Sequence, residues 1–584
     1  MNTRRCLPAI VMSSLSLSVA AAAPGGAGSA QANAERYLVQ DRSVMAARQD
    51  VGRVGATVER NLDIIHAVAA RLSSAQAARL RALPGVHVFA DRSVGTETLL
   101  SGLTTPLAES LTGSSTPADG TAVNSPTALY QTSYPILVGA NTLQSEGITG
   151  RGVTIAVLDT GLWQDPAQNY LFRVLATVDV TNGGSGPVTG DPYGHGTHIT
   201  SIAAGGATNI YGGNLGVAPQ ANLVIVRAFN GQGAGRYSDV IAGLNWIVAN
   251  QKKYNIRVVN LSFGASPESN YWNDPLNQAV MTAWRAGIVV VAAAGNEGPG
   301  PMTIGVPGNV PYVITAGALT DNNTPYNLSD DRLASFSSAG PTYEGFVKPE
   351  MIAPGGHMVA SMNSNSYLAN IDPHSMSPLE SLFTMSGTSQ AAAVTTGVVA
   401  LMLQANPTLT PDNVKCRLMA AAHPAVTPSG TLAYSVFQQG AGLINAVAAV
   451  NSTATGCANR GLDVNADLAG TEHFGGPANQ DASGNYYVMN LAGSSWGGAQ
   501  PADGYSWSTA YNSTQGYTWS QGYTWTQGYT WTQGYTWSTG YTWTRGYTWS
   551  RGYTWSQSVP WWNSTESSSA ATNSASIVDW VPNE

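Results

Sequence analysis

Charge is what this sequence has little of. Asp, Glu, Lys and Arg make up 10% of its 584 residues, against about a quarter in an ordinary soluble protein. No basic cluster is present to hold nucleic acid, and no long charge run to form an interaction tail. Cysteine is as sparse, three in all, so a disulfide-dense scaffold is excluded. Beyond the N-terminus no uninterrupted apolar run approaches the ~20 residues of a membrane helix. What is plentiful is glycine, 64 residues, together with Ser and Thr. A lightly charged chain of this kind suits an exported protein, and its length calls for several domains.

The N-terminus fits export. Arg4 and Arg5 precede an apolar stretch from Leu7 to Ala23, with small residues at Ala20 to Ala23 and a helix-breaking Pro24-Gly25-Gly26. Residues 1–23 therefore read as a signal peptide. Four serines between positions 13 and 18 dilute the run and argue against a retained anchor. Cys6 leaves with the signal. Cys416 and Cys457 remain, as a bridge in an oxidising compartment or as two thiols.

Three stretches carry chemistry. In Phe383-Thr-Met-Ser-Gly-Thr-Ser-Gln-Ala-Ala-Ala393, small residues surround Ser389 and a long apolar run follows. This is a buried helix opening at a serine, where unpaired N–H groups attract negative charge. Read alone, Ser389 is equally a helix cap. In Val153-Thr-Ile-Ala-Val-Leu-Asp-Thr-Gly161 an apolar, β-rich run ends on Asp159, as a buried parallel strand does when its C-terminal end faces a ligand site. Gly194-His-Gly-Thr-His198 sets His195 between two glycines ahead of another apolar run. An acid, an imidazole and an alcohol in such settings are the parts of a nucleophilic triad.

The motifs at Asp159-Thr-Gly, His195-Gly-Thr-His198 and Gly387-Thr-Ser389 resemble those of the subtilisin-like serine proteases, in that family's order of Asp, His and Ser. The resemblance covers about residues 130–450. It implies a serine endopeptidase acting on protein or peptide substrates, with Asp159, His195 and Ser389 catalytic. Asn296, in Ala-Gly-Asn-Glu-Gly after an apolar strand, falls at the family's oxyanion position. Ser262, Phe263 and Gly264 fall in its substrate-binding segment, where an extended peptide would pair as an added strand. The family's usual Met after the nucleophile is Gln390 here, and its Pro three residues further on is Ala393. His198 reads as a structural histidine, since no Glu follows His195 as a zinc-protease motif requires. No cofactor is assigned. Relatives bind calcium, but the loop from Gly205 to Gly216 offers Asn209 and Asn214 without a carboxylate, so calcium is left open. The stretches from Ser262 to Ala265 and from Ala292 to Glu297 imply a pocket for large uncharged side chains, with Glu297 at its edge.

The fold class expected is α/β: a parallel-sheet, subtilisin-like catalytic domain at 129–455 with helices on both faces. Strands are read at 153–158, 222–228, 256–261, 288–294 and 312–318, and helices at about 196–205, 237–252, 274–287, 389–404 and 411–422. A small α+β block at 35–95, with nine arginines against six acids, resembles the family's inhibitory propeptide, an intramolecular inhibitor. Within it, strands are read at Tyr37–Gln40, around Leu62 to Val68 and at Val86–Ala90, with a helix opened by Ser74. A Ser-, Thr- and Pro-rich linker at 96–128 is expected to hold the processing site, between Thr104 and Tyr130.

After a Gly-, Ser- and Asn-rich linker at 456–515, Gly-Tyr-Thr-Trp recurs seven times at six-residue spacing from Gly516 to Gly552. A tail at 558–584 follows. The even period of the repeats at 516–557 fits extended chain rather than helix. Two readings stand: a tail without fixed structure, or an aromatic ladder contacting glycan or cell envelope. A rival for the whole chain is a secreted adhesion protein whose protease-like domain is inactive.

Overall fold

A computed structural model describes residues 34–96, 134–184, 186–208, 215–321, 324, 326–328, 330–377, 381–426, 432–480 and 486–488, with short strands between 517 and 542. The signal segment, the expected processing region and Asn209 and Asn214 of the calcium-candidate loop lie outside the described residues, as does the 558–584 tail.

The N-terminal block comprises β1 (Glu35–Gln40), α1 (Val44–Arg53), β2 (Val58–Leu62), β3 (Ala67–Leu72), α2 (Ser74–Arg81) and β4 (His87–Ala90). Its antiparallel sheet has the order β2-β3-β1-β4. Period-two patterning gives this sheet two buried faces. Tyr37, Val39, Val68, Ala70 and Leu72 pack with α1 and α2, while Leu38, Ala67 and Ala69 join the core of the larger body. The expected strand around Leu62 to Val68 is interrupted by a 3-10 turn at Asp63–Ile65, because β2 and β3 are antiparallel neighbours and the chain must reverse. His66 closes that turn in the left-handed region, at φ 57°. The capping serine of α2 is Ser73 rather than Ser74, in a reciprocal box with Gln76.

Next in the chain come β5 (Ser93–Thr96), α3 (Tyr134–Leu137), α4 (Ala140–Ser145), β6 (Thr154–Asp159), β7 (Val174–Asp179), α5 (His195–Ala204), β8 (Asn222–Arg227), β9 (Ala234–Arg236), α6 (Tyr237–Tyr254), β10 (Ile256–Leu261), β11 (Phe263–Gly264), α7 (Pro275–Arg285), β12 (Val289–Ala293), β13 (Ile314–Thr320), β14 (Arg332–Leu333), β15 (Met351–Pro354) and β16 (Met358–Ser361). They are followed by α8 (Tyr367–Ile371), β17 (Leu382–Met385), α9 (Thr388–Ala405), α10 (Pro411–Ala421), α11 (Val436–Gln439) and α12 (Ala446–Asn451). The central sheet runs β14-β13-β12-β10-β6-β8-β7, with β15 beside β13. Every pair is parallel except β13 with β14. Of its interior strands, β6, β12 and β13 are fully buried and mostly apolar, as both-face coverage demands. The helix α9 crosses β10, β12, β13 and β15 with α5 at its side, whereas α6 and α7 pack together against β6, β8, β10 and β12.

The body extends past the boundary expected at 455. Cys416 and Cys457 are bridged, with Cα atoms 5.2 Å apart. Beyond them α13 (Val464–Leu468), β18 (His473–Gly475), β19 (Ala478–Gln480) and β20 (Tyr486–Val488) continue, and Phe474 and Val488 join the main core. Glycine content suggested a linker here. Instead Gly476 is needed for contact, since a Cβ there would overlap the backbone of Gly345. Within the repeats, Tyr517–Trp519 pairs antiparallel with β18, and Thr524–Trp525 pairs with Tyr529–Thr530. The described repeat segments are therefore extended.

Candidate active site

Asp159 ends β6 and His195 opens α5. The glycines around them permit this approach: Gly194 has φ 108°, and a Cβ at Gly196 would overlap the carbonyl oxygen of Gly161. His195 Nδ1–H donates to Asp159 Oδ1 at 2.7 Å, with both side chains buried. A carboxylate only accepts, so the proton sits on Nδ1. Nε2 is then the basic nitrogen, and it makes no hydrogen bond. Thr160 N–H donates to the same Asp159 oxygen at 2.7 Å, and Gly196 N–H to Thr160 Oγ1 at 2.8 Å. Asp191, which the sequence reading passed over, accepts from Gly194 N and Thr197 N and anchors the start of α5.

Ser389 lies in the first turn of α9 and is fully buried. Its hydroxyl donates to Ser262 O at 3.2 Å, while Ser262 Oγ donates back to Ser389 O at 2.9 Å. Behind them Asn260 Nδ2 donates to Ser262 Oγ, and Thr396 Oγ1 to Asn260 Oδ1. This buried chain fixes α9 against the end of β10. The Asn260-x-Ser262 spacing at a strand end was its only trace in the sequence.

The first turns of α5 and α9 touch. Gln390 Nε2 lies 3.5 Å from His198 Nδ1. His198 Nε2 faces the carbonyl oxygens of Met358 and Phe383 at 3.2 and 3.1 Å, so that nitrogen carries its proton. Burial pushes the His198 pKa down to about 3, although its carbonyl partners oppose this. The imidazole is thus a neutral strut between elements. Ser389 and His195 approach from these two touching turns, but the Ser389 hydroxyl bonds Ser262 O rather than His195 Nε2. Catalytic hydrogen bonds are commonly long before substrate binds.

Asn296 follows β12. Its Oδ1 accepts from Thr388 N at 2.9 Å and from Thr388 Oγ1 at 3.0 Å. The amide oxygen is thus held one residue before Ser389, which fixes the donor nitrogen on the opposite side. Such a donor suits an oxyanion. Ala292 to Ala294 are buried and Glu297 is exposed, with its backbone N–H on Ser338 Oγ.

Ser262, Phe263 and Gly264 border a cleft that the chain itself fills. The strand β5 lies between β11 and β9, antiparallel to both. Thr96 is opposite Phe263 and Gly95 opposite Gly264, with Ser93 opposite Arg236 on the other side. Val94 and Thr96 are buried. The expected linker start at residue 96 is therefore part of this strand. Among the described residues no three His, Cys, Asp or Glu side chains are placed to share a metal ion.

The sequence model described as the Subtilase family matches residues 150–456. Among curated proteins, the chain is 42% identical over 277 residues to Serine protease AprX of Bacillus subtilis, covering 46% of this chain and 60% of that protein. It is 33% identical over 320 residues to Subtilisin DY of Bacillus licheniformis, covering 54% of this chain and 96% of that protein. Among solved structures, fervidolysin from Fervidobacterium pennivorans, a keratinolytic enzyme related to subtilisin, aligns with a TM-score of 0.55 and 21% identity. That alignment covers 79% of this chain and 65% of fervidolysin, and its likeness is one of fold.

Proposed function

This chain belongs to the subtilase family, and on that premise we propose that it is an exported serine endopeptidase made as a self-inhibited precursor. The observation that carries the catalytic reading is the 2.7 Å bond between His195 Nδ1 and Asp159 Oδ1, which leaves Nε2 as the base. His195 takes the proton of Ser389 as that oxygen attacks the scissile carbonyl. Asp159 holds the tautomer and stabilises the imidazolium. Asn296 Nδ2 and the Ser389 N–H receive the oxyanion, and water then resolves the acyl-enzyme with His195 again as base. Labelling with a fluorophosphonate tests this assignment: wild type reacts and Ser389→Ala does not. Labelling that survives the substitution would refute it.

Self-inhibition is supported by β5, which occupies the cleft beside Ser262 with substrate-like pairing. Processing is assigned between Thr104 and Tyr130, and N-terminal sequencing of the secreted form checks it; active enzyme beginning at Gln31 would refute it. Export rests on the signal-like residues 1–23, and among the described residues no helix is long and apolar enough to cross a membrane. For the repeats, a tail or weakly ordered ribbon is the favoured reading and envelope or glycan contact the second; binding of a 510–562 peptide to envelope polysaccharide would favour the second. The rival adhesion reading gains nothing from the site, because an inactive domain has no need of an oriented Asp-His pair.

A further inference from the structure

A guanidinium group is held on the body at the far end of the cleft from Ser389. Arg60 of β2 reaches across the boundary between the N-terminal block and the body. Its Nη1 donates to Asp239 Oδ1 at 2.9 Å and to Ser238 O at 3.2 Å, and its Nη2 donates to Val180 O at 2.6 Å. The side chains of Arg60 and Asp239 are 13% and 7% exposed, so the pair is largely withdrawn from water. Three acceptors spread around one planar fork match an arginine better than the point charge of a lysine. Burial pushes the Asp239 carboxyl up and Arg60 opposes it, so this carboxylate calls for a cation.

The same place opens onto the cleft. A cavity of about 150 Å³ is bordered by Ser93 of β5, Thr181, Asn230, Arg236 and Asp239. Ser93 is exposed and faces Arg236 across the β5–β9 pairing. A longer side chain at its strand position would enter this cavity toward Asp239.

We propose that Asp239, Ser238 O and Val180 O form an arginine-binding exosite, filled by Arg60 in the precursor and taken by an arginine of the substrate after the N-terminal block leaves. The substrate arginine stands where Ser93 stands, three residues before the one that pairs with Phe263. The substrate half of the proposal rests on the proteolytic, self-inhibited reading above.

Two arms test it. In the full-length chain carrying Ser389→Ala, Arg60→Ala or Arg60→Gln vacates the site, and ethylguanidinium is the probe. Ethylguanidinium should raise the melting temperature of either variant, and the gain should vanish when Asp239→Asn is added; a gain indifferent to Asp239 overturns the site. In the second arm, processed enzyme cleaves peptides bearing arginine or citrulline at the Ser93 position. Arginine should be favoured about tenfold in kcat/KM, the size of one charge-assisted hydrogen bond, and Asp239→Asn should abolish the preference. Equal rates in wild type overturn the substrate role. A chain that cuts neither peptide and takes no fluorophosphonate refutes proteolysis instead, and the ethylguanidinium arm still decides the exosite.

Discussion

Thr388, the residue before the proposed nucleophile, donates its backbone N–H to Asn296 Oδ1 at 2.9 Å. The contact joins the loop after β12 to the first turn of α9, so the donor amide and the serine move as one unit. Asn296→Ala should lower kcat by about 10²–10³-fold with little change in KM, a magnitude taken from the matching donor of a subtilisin rather than from this geometry. Steady-state kinetics on one peptide check it. An effect confined to KM would assign Asn296 to ground-state binding.

Asp159→Asn keeps the size of the side chain, but Oδ1 serves both Thr160 N and His195 Nδ1, so an amide nitrogen turned to the imidazole gives up the Thr160 contact. The amide can instead donate to His195 Nδ1, which moves the imidazole proton to Nε2 and removes the base. The expected loss is about 10⁴-fold in kcat at neutral pH. Fluorophosphonate labelling should slow in parallel; an unchanged rate would show that His195 needs no partner.

Glu344 is buried, and burial first, then nearby Asp467, pushes its pKa up to about 7. The folded state therefore holds a proton that the unfolded state releases near 4.5. The stability from this proton is full below about pH 4.5 and is lost as pH rises through 7. Glu344→Gln, in a Ser389→Ala background, should nearly match its parent at pH 4.5 and exceed it at pH 8 by on the order of 3 kcal/mol. Urea melts at the two pH values measure the difference. A constant difference would mean that the carboxyl does not titrate in this window.

The bridge between Cys416 and Cys457 spans 41 residues. Replacing both by Ala should cost roughly 2–4 kcal/mol through loss of the loop constraint. Urea midpoints with and without reductant are the readout. The double variant should be insensitive to reductant where the parent is not.

The parallel sheet was readable because its strands are largely apolar runs, and because Asp159 and His195 stand at element ends close to glycine. The segments missed are those without such patterns. The edge strand β7 is half-exposed and reads as neither strand nor loop. The helix α1 has few buried residues, among them Asp50. The described residues 456–480 and 486–488 are held by sparse anchors, Phe474, Tyr487 and Val488. Side-chain networks were the least legible. Nothing in the spacing of Asp191 and Thr396 announces that they fasten α5 and α9, because such contacts have no period.

The middle position of β5 between β11 and β9 has a mechanical corollary. Withdrawing four residues leaves a slot with two bare backbone edges, one on each wall, spaced to admit one strand. Hydrogen bonds from both walls grip main chain, which every polypeptide has, so an incoming segment needs to be extended before it needs any particular side chain. A folded domain offers few such stretches, whereas a loosened or unfolded one offers many. On the proteolytic reading proposed above, the slot would sort proteins by how easily they come apart.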